Sequence, residues 1–263
     1  MLVSHPANIR YLCGFSGSAG LLLVQASGSI LFTDSRYTFQ AREEVGCSRI
    51  HIAKNGLLRA IGETLKSQKG RSFVAYSSSH VTVAQLDALQ AATGARVRWM
   101  KDAGAVEKLR AVKDDREVAA MREASVLIGK VFESALPSIK PGITELHLAG
   151  RLELKMKQLG ASGASFETIV ASGARSAWAH ARPGTKVLRE GELVVLDQGA
   201  ILRGYCSDMT RTVFLGRAPQ KVRRLYLAVL EAQEAAKGAI RPGVTAGAID
   251  GAALAAMGEG LGC

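Results

Sequence analysis

Two acidic side chains, Asp197 and Asp208, are the residues whose type and spacing point most directly to chemistry. They lie in Glu192–Gly216, ELVVLDQGAILRGYCSDMTRTVFLG. Glu192–Ala200 reads as an apolar strand that presents Asp197, and Tyr205–Leu215 as a second strand carrying Asp208. A turn centred near Leu202–Arg203, with Gly204 free to take a positive φ, folds the two into a hairpin. A hairpin symmetric about that centre sets positions 197 and 208 directly opposite. Opposed residues share one face, with Cβ atoms roughly 4.5–5.5 Å apart. Two bare carboxylates so placed repel by about 3 kcal/mol at an effective dielectric near 20. Protonation of one, or a cation between them, removes that cost, and a divalent cation held by both is the simplest arrangement. Taken singly, each has an ordinary structural use: Asp197 as a turn cap before Gly199, Asp208 as a partner of Arg211. His180, in the loop SGARSAWAHARPG after a strand over Phe166–Ala171, is by itself an ordinary loop histidine.

The elements that must position these residues begin with an α/β layer. Gly20–Gln25 and Ser29–Thr33 read as a hairpin, and Ser72–Ser77 and Arg96–Met100 as strands flanking a helix near 83–92. Gly14, Gly17 and Gly20 lie close together, but no GK[ST] follows, so they read as turn residues and not a phosphate loop. A boundary falls near Asp102–Asp114. Asp114, followed by Glu117, makes a capping-box-like helix start. Val118, Met121, Ser125, Ile128 and Phe132 then keep helical spacing up to Pro137.

An internal repeat follows. Ile139-Lys140-Pro141-Gly142-Ile143-Thr144 recurs 101 residues later as Ile240-Arg241-Pro242-Gly243-Val244-Thr245. Each copy predicts a Pro-Gly turn, a Thr N-cap and an amphipathic helix. Leu148, Leu152, Met156 and Leu159 mark the first helix, and Ile249, Ala253, Ala256 and Met257 the second. At the same offset, counterparts of His180 and of the two aspartates would fall near 281, 298 and 309, beyond Cys263.

The run LDQGAILRGYCSDMTRT resembles the first half of the metal site of the creatinase/aminopeptidase P/methionine aminopeptidase peptidases, and SGxRSAxxHxRP resembles their histidine loop. The likeness extends over nearly the whole chain, and is strongest to Xaa-Pro aminopeptidase and prolidase members. It implies an α+β chain: a creatinase-type α/β N-terminal domain over 1–105, then an incomplete pita-bread catalytic domain over 106–263. It also implies that two Asp, one His and two Glu hold a pair of divalent ions. Asp197 and Asp208 match the two Asp. No stretch matches the His and Glu motifs, so the expectation is a fragment of a protein roughly 80–120 residues longer. A further expectation is that the helix Glu117–Leu136 is poorly covered, with an exposed apolar patch.

On this resemblance the function is metal-dependent hydrolysis of the N-terminal Xaa-Pro bond, with Mn²⁺ as the favoured ion and Co²⁺ or Zn²⁺ as alternatives. A metal-activated water attacks the peptide carbonyl. His180 hydrogen-bonds the substrate or the tetrahedral intermediate, and Thr210 orients Asp208 from behind. Two carboxylates alone supply too few ligands for two ions, so residues 1–263 should bind metal weakly and be inactive. The partners implied are a peptide with proline at its second position and a second copy of the chain. Asp34, Arg36 and Tyr37 read either as a contact to a neighbouring subunit's site or as a helix cap with a surface arginine. Two other readings stand beside the peptidase: a creatinase-like amidinohydrolase, which retention of both Asp disfavours, and a non-catalytic pita-bread binding module.

Composition excludes other classes. The formal net charge is +11, with 34 Lys and Arg among 263 residues. These are scattered, without basic runs or aromatic interleaving, which argues against nucleic acid. Cys13, Cys47, Cys206 and Cys263 form no CxxC or zinc spacing, and they suit a reducing cytoplasm. No membrane span or signal peptide is legible.

Overall fold

The computed structural model describes residues 1–68 and 70–261, so the expectation for Cys263 lies outside the described residues. The chain divides between Asp115 and Arg116 into two compact units.

The first unit is built on a sheet of six strands: β1 (Leu2–Val3), β2 (Gly20–Gln25), β3 (Gly28–Thr33), β4 (Arg49–Ile52), β5 (Ser72–Ser77) and β6 (Val97–Asp102). Their order is β4-β3-β2-β1-β5-β6. The β1–β2 and β2–β3 pairs are antiparallel, the others parallel. Successive residues of β2 are buried without alternation, because both faces are covered. Leu21, Leu23 and Phe32 pack with Ile61 and Leu89, which belong to the helices α3 (Leu57–Lys66) and α4 (Val83–Thr93) introduced after α1 (Pro6–Cys13) and α2 (Thr38–Glu44). Leu22 and Leu31 pack on the opposite face with Ile9 and Cys13 of α1 and Ala41 of α2. Val106 of α5 (Ala105–Ala111) joins that second cluster, which ties α5 to the first unit. Gly14 closes α1 in the left-handed conformation, with its N–H on the Arg10 carbonyl, as a turn residue should. Asp34 accepts from the Arg36 N–H at 3.0 Å and also pairs with the Arg36 side chain, the cap-and-surface-arginine arrangement.

The second unit opens on α6 (Asp115–Ala135). Its buried stripe is Ala124, Leu127, Ile128, Val131 and Ala135, while Val118 and Met121 are 41% and 38% exposed. Of the expected stripe, Ile128 is buried and Phe132 packs beside it, whereas the N-terminal members Val118 and Met121 face outward. As expected, α6 leaves apolar side chains exposed, Val126 at 52% besides Val118 and Met121, while the inward stripe of its C-terminal half is covered. It packs with α7 (Glu145–Gln158), β8 (Ile169–Ser172) and β9 (Leu193–Gln198) through Leu148, Leu152, Met156, Val170, Val194 and Leu196. β7 (Gly163–Ala164), β10 (Ala200–Leu202) and β11 (Tyr205–Cys206) form one small sheet, and β8, β9 and β12 (Met209–Phe214) another.

The repeat holds in three dimensions. Gly142 and Gly243 both take positive φ, at 98° and 86°. Thr144 accepts from the His147 N–H at 3.1 Å, and Thr245 from the Ala248 N–H at 3.3 Å. Each threonine caps a helix, α7 in the first copy and α9 (Ala246–Leu261) in the second. α8 (Gln220–Ala239) pairs with α9 at a close approach between Ala228 and Gly260, leaving Leu225, Tyr226, Leu227 and Leu230 exposed.

Candidate metal centre

The hairpin exists, but its centre is one residue further along than expected. Met209 pairs with Gln198 and Thr210 with Asp197, while Leu202 pairs with Tyr205. The turn is Arg203–Gly204, with both φ values positive (50° and 86°), as a type I′ turn requires. Asp197 therefore opposes Thr210, not Asp208. By the same register Asp208 faces Gly199. Alternation still puts it on the face of Thr210 and Asp197, as a diagonal neighbour. In a regular ladder such neighbours stand about 7–8 Å apart, leaving room for a cation between their carboxylates.

At Gly199 the chain passes from one small sheet to the other. A Cβ there would stand 2.2 Å from the Ser207 carbonyl oxygen and 2.1 Å from Ser165 Oγ. Only glycine lets the two ribbons meet this closely. Ser165 Oγ donates to the Ser207 carbonyl at 2.8 Å, and Ser207 N–H donates to the Ala200 carbonyl at 2.9 Å, so Asp208 leaves the crossing at a fixed point. The hairpin tip is tied to α6: Tyr205 Oη donates to Glu117 Oε1 at 3.0 Å, and Arg203 pairs with Glu123.

Asp197 sits in the central strand between Ile169 and Thr210. Thr210 Oγ1 donates to Asp197 Oδ1 at 2.9 Å. This corrects the partner expected for Thr210. The threonine directly across the ladder is the one that can reach, and that makes it a support for Asp197, not Asp208. Arg211 donates to the Thr210 carbonyl at 2.8 Å and does not pair with Asp208.

Asp197, Asp208 and His180 line one cleft of about 390 Å³. Phe166, Ile169 and Ala181 form its apolar wall, and Glu167 and Arg182, paired at 3.2 Å, complete it. His180 and Asp208 are exposed and Asp197 is half-buried. Cys206 lies outside the lining, exposed and opposite Ile201. Sequence reasoning singled out neither Glu167 nor Arg182. Arg182 stood within the histidine-loop motif, whereas Glu167 carried no signal of its own.

The donor chemistry fits a hard divalent cation in part. Two carboxylates share the cleft, and only one oxygen of Asp197 is engaged by Thr210. Among the described residues, no group of three or more His, Cys, Asp or Glu side chains is gathered closely enough to hold an ion.

Residues 119–263 match the metallopeptidase family M24, and residues 1–112 match the creatinase/prolidase N-terminal domain. The chain belongs to metallopeptidase family M24. Within this family it is 36% identical over 247 residues to the uncharacterized peptidase YqhT of Bacillus subtilis, covering 93% of this chain and 69% of that one. It is 30% identical over 251 residues to an Xaa-Pro dipeptidase of Pyrococcus horikoshii, covering 95% of this chain and 69% of the relative. Among solved structures, an Xaa-Pro dipeptidase from Bacillus anthracis superposes with a TM-score of 0.91 at 32% identity, over 98% of this chain and 72% of that chain. An X-Pro aminopeptidase from Thermotoga maritima gives 0.90 at 32% identity, over 98% and 75%. The M24 chain thus has a creatinase-type N-terminal domain and an M24 catalytic domain in a mixed α/β structure.

Proposed function

We propose that this M24 protein is a metal-dependent aminopeptidase that hydrolyses the first bond of peptides with proline in second place. The observation that carries the reading is the single cleft in which Asp197, Asp208 and His180 meet. The proline preference is supported by relatives named for Xaa-Pro cleavage.

Asp197 and Asp208 would hold the cation, Mn²⁺ before Co²⁺ or Zn²⁺, because their oxygens suit a hard ion. A bound divalent ion supplies Lewis acidity and an activated water at neutral pH. The rest falls to the chain's own side chains. Thr210 fixes Asp197 by one oxygen and leaves the other for the cation. His180, on the rim, offers a ring N–H to the oxyanion that develops on the scissile carbonyl. Phe166 and Ile169 offer apolar surface to a pyrrolidine ring, and Arg182 and Glu167 set opposite charges at the same mouth. A homodimer and a cytoplasmic site of action belong to the same proposal. Among the described residues no helix is long and apolar enough to cross a membrane.

Hydrolysis of Gly-Pro and of a longer Xaa-Pro peptide by the protein, with and without Mn²⁺, tests the reading. Manganese-dependent cleavage that disappears in both Asp197→Asn and Asp208→Asn supports it. Cleavage indifferent to both substitutions overturns it.

A further inference from the structure

His180 makes no hydrogen bond to the protein among the described residues and its ring is exposed, so its backbone must place it. That backbone is bracketed by one side chain. Arg175 Nη2 donates to the Arg182 carbonyl at 2.5 Å, and its guanidinium lies over the Trp178 ring at 4.8 Å. One guanidinium therefore grips the loop two residues before His180 and two residues after it.

Arg175 is itself held by a fully buried carboxylate. Glu145, the first residue of α7, is 0% exposed. Its Oε1 accepts from the N–H and the hydroxyl of Ser172 at 2.8 and 2.9 Å. Its Oε2 accepts from Arg175 Nε at 3.2 Å and from the Gly184 N–H at 3.3 Å. Ser172 and Gly184 are the two feet of the histidine loop, so one carboxylate clamps both feet and the arginine between them. The Leu146 N–H donates to the Gly184 carbonyl and the Glu145 N–H to the Lys186 carbonyl, both at 3.0 Å, so the start of α7 also holds the returning segment.

The internal repeat indicates what Glu145 is for. In the second copy the helix begins Thr245-Ala246, and the threonine cap forms without any carboxylate there. A glutamate is therefore not needed to start such a helix. In the first copy its carboxylate is engaged instead by Ser172, Arg175 and Gly184.

We propose that Arg175, locked by Glu145, is the positioning residue that sets His180 at the rim of the cleft. This rests on the reading of the cleft as catalytic. Lysine in its place would keep the charge beside Glu145 but has neither a planar face for Trp178 nor a fork to reach two acceptors at once.

The test uses Arg175→Lys and Glu145→Gln in a Trp99→Phe background, where Trp178 is the remaining tryptophan of the two in the sequence. Acrylamide quenching of Trp178, the rate of His180 acylation by diethyl pyrocarbonate read by mass spectrometry, and the thermal midpoint are measured together. The expected result for Arg175→Lys is a retained cooperative transition, stronger quenching and an altered acylation rate at His180 but not at His51. In peptide hydrolysis, kcat should fall by about 10²-fold with KM little changed, the cost of misplacing a reacting group by an ångström. If Glu145→Gln does not fold, Arg175→Lys decides, since Arg175 is 27% exposed and less demanding to replace. Unchanged Trp178 and His180 signals in Arg175→Lys would overturn the proposal, as would signals that move only in step with the thermal midpoint. If the loop signals move while Asp208→Asn leaves hydrolysis intact, the catalytic reading of the cleft fails and the positioning role of Arg175 stands.

Discussion

Thr210 shows how one ladder position decides a residue's job. A register shifted by one step would have turned its hydroxyl away from Asp197; as it stands, that hydroxyl fixes one carboxylate oxygen at 2.9 Å. Thr210→Val should lower Mn²⁺ affinity about tenfold, measured by titration, while the thermal midpoint stays near wild type because the side chain is exposed. A second residue-scale effect lies in the first unit. Burial pushes the His5 pKa down, reinforced by the nearby His80 and Arg110 charges and opposed by Glu107 and Asn8. The His5 ring stacks on His80 at 4.1 Å, and its Nδ1 is buried without a partner. With the folded value below the unfolded one of about 6.5, the unfolded chain takes up the proton first, so stability is complete above that pH and lost as pH falls through the lowered value. The thermal midpoint should drop between pH 7.5 and 5.5, and drop less in His5→Gln; equal drops would remove His5 as the cause.

At the scale of elements, the hairpin was legible because its pattern is local: an apolar strand, a glycine in the turn and a second strand. The step between direct and diagonal opposition of Asp197 and Asp208 was not. It depends on Arg203 accepting a positive φ, which arginine rarely does and which here accompanies its pairing with Glu123 on α6. The stripe on α6 was misjudged for a related reason. Val118 and Met121 have the right spacing, but the buried stripe is Ala124, Leu127, Ile128, Val131 and Ala135, which shares only Ile128 with the expected one. The Pro-Gly repeat was read correctly, caps included, because turn and cap chemistry is written in adjacent residues. Gly199 was passed over, since a close approach between ribbons leaves no periodic trace. Gly199→Ala should cost about 1–3 kcal/mol by overpacking, read by denaturant unfolding, and should weaken Mn²⁺ binding by displacing Asp208. Stability and binding both unchanged would mean that the crossing yields without strain.

At the scale of the whole molecule, each unit has a core of its own, and α5 belongs with the first through Val106 and the Asn8–Glu107 hydrogen bond at 2.7 Å. A polypeptide ending at 115 should fold and unfold cooperatively, whereas one ending at 104 should be destabilised by about 1–3 kcal/mol, as judged by circular dichroism. The Glu145–Arg175 clamp illustrates what sequence could not supply at this scale: its members are separated by the length of α7, β7 and β8, and only the folded chain shows that one carboxylate serves both feet of a loop. The central claim is that Asp197 and Asp208 together take a divalent cation beside His180. Paramagnetic broadening of backbone amide signals by Mn²⁺ tests it without depending on turnover. The account predicts broadening centred on Asp197, Asp208, Ile169 and His180 that is lost in Asp197→Asn and in Asp208→Asn. Broadening centred on other carboxylates, or unchanged in both variants, would contradict it.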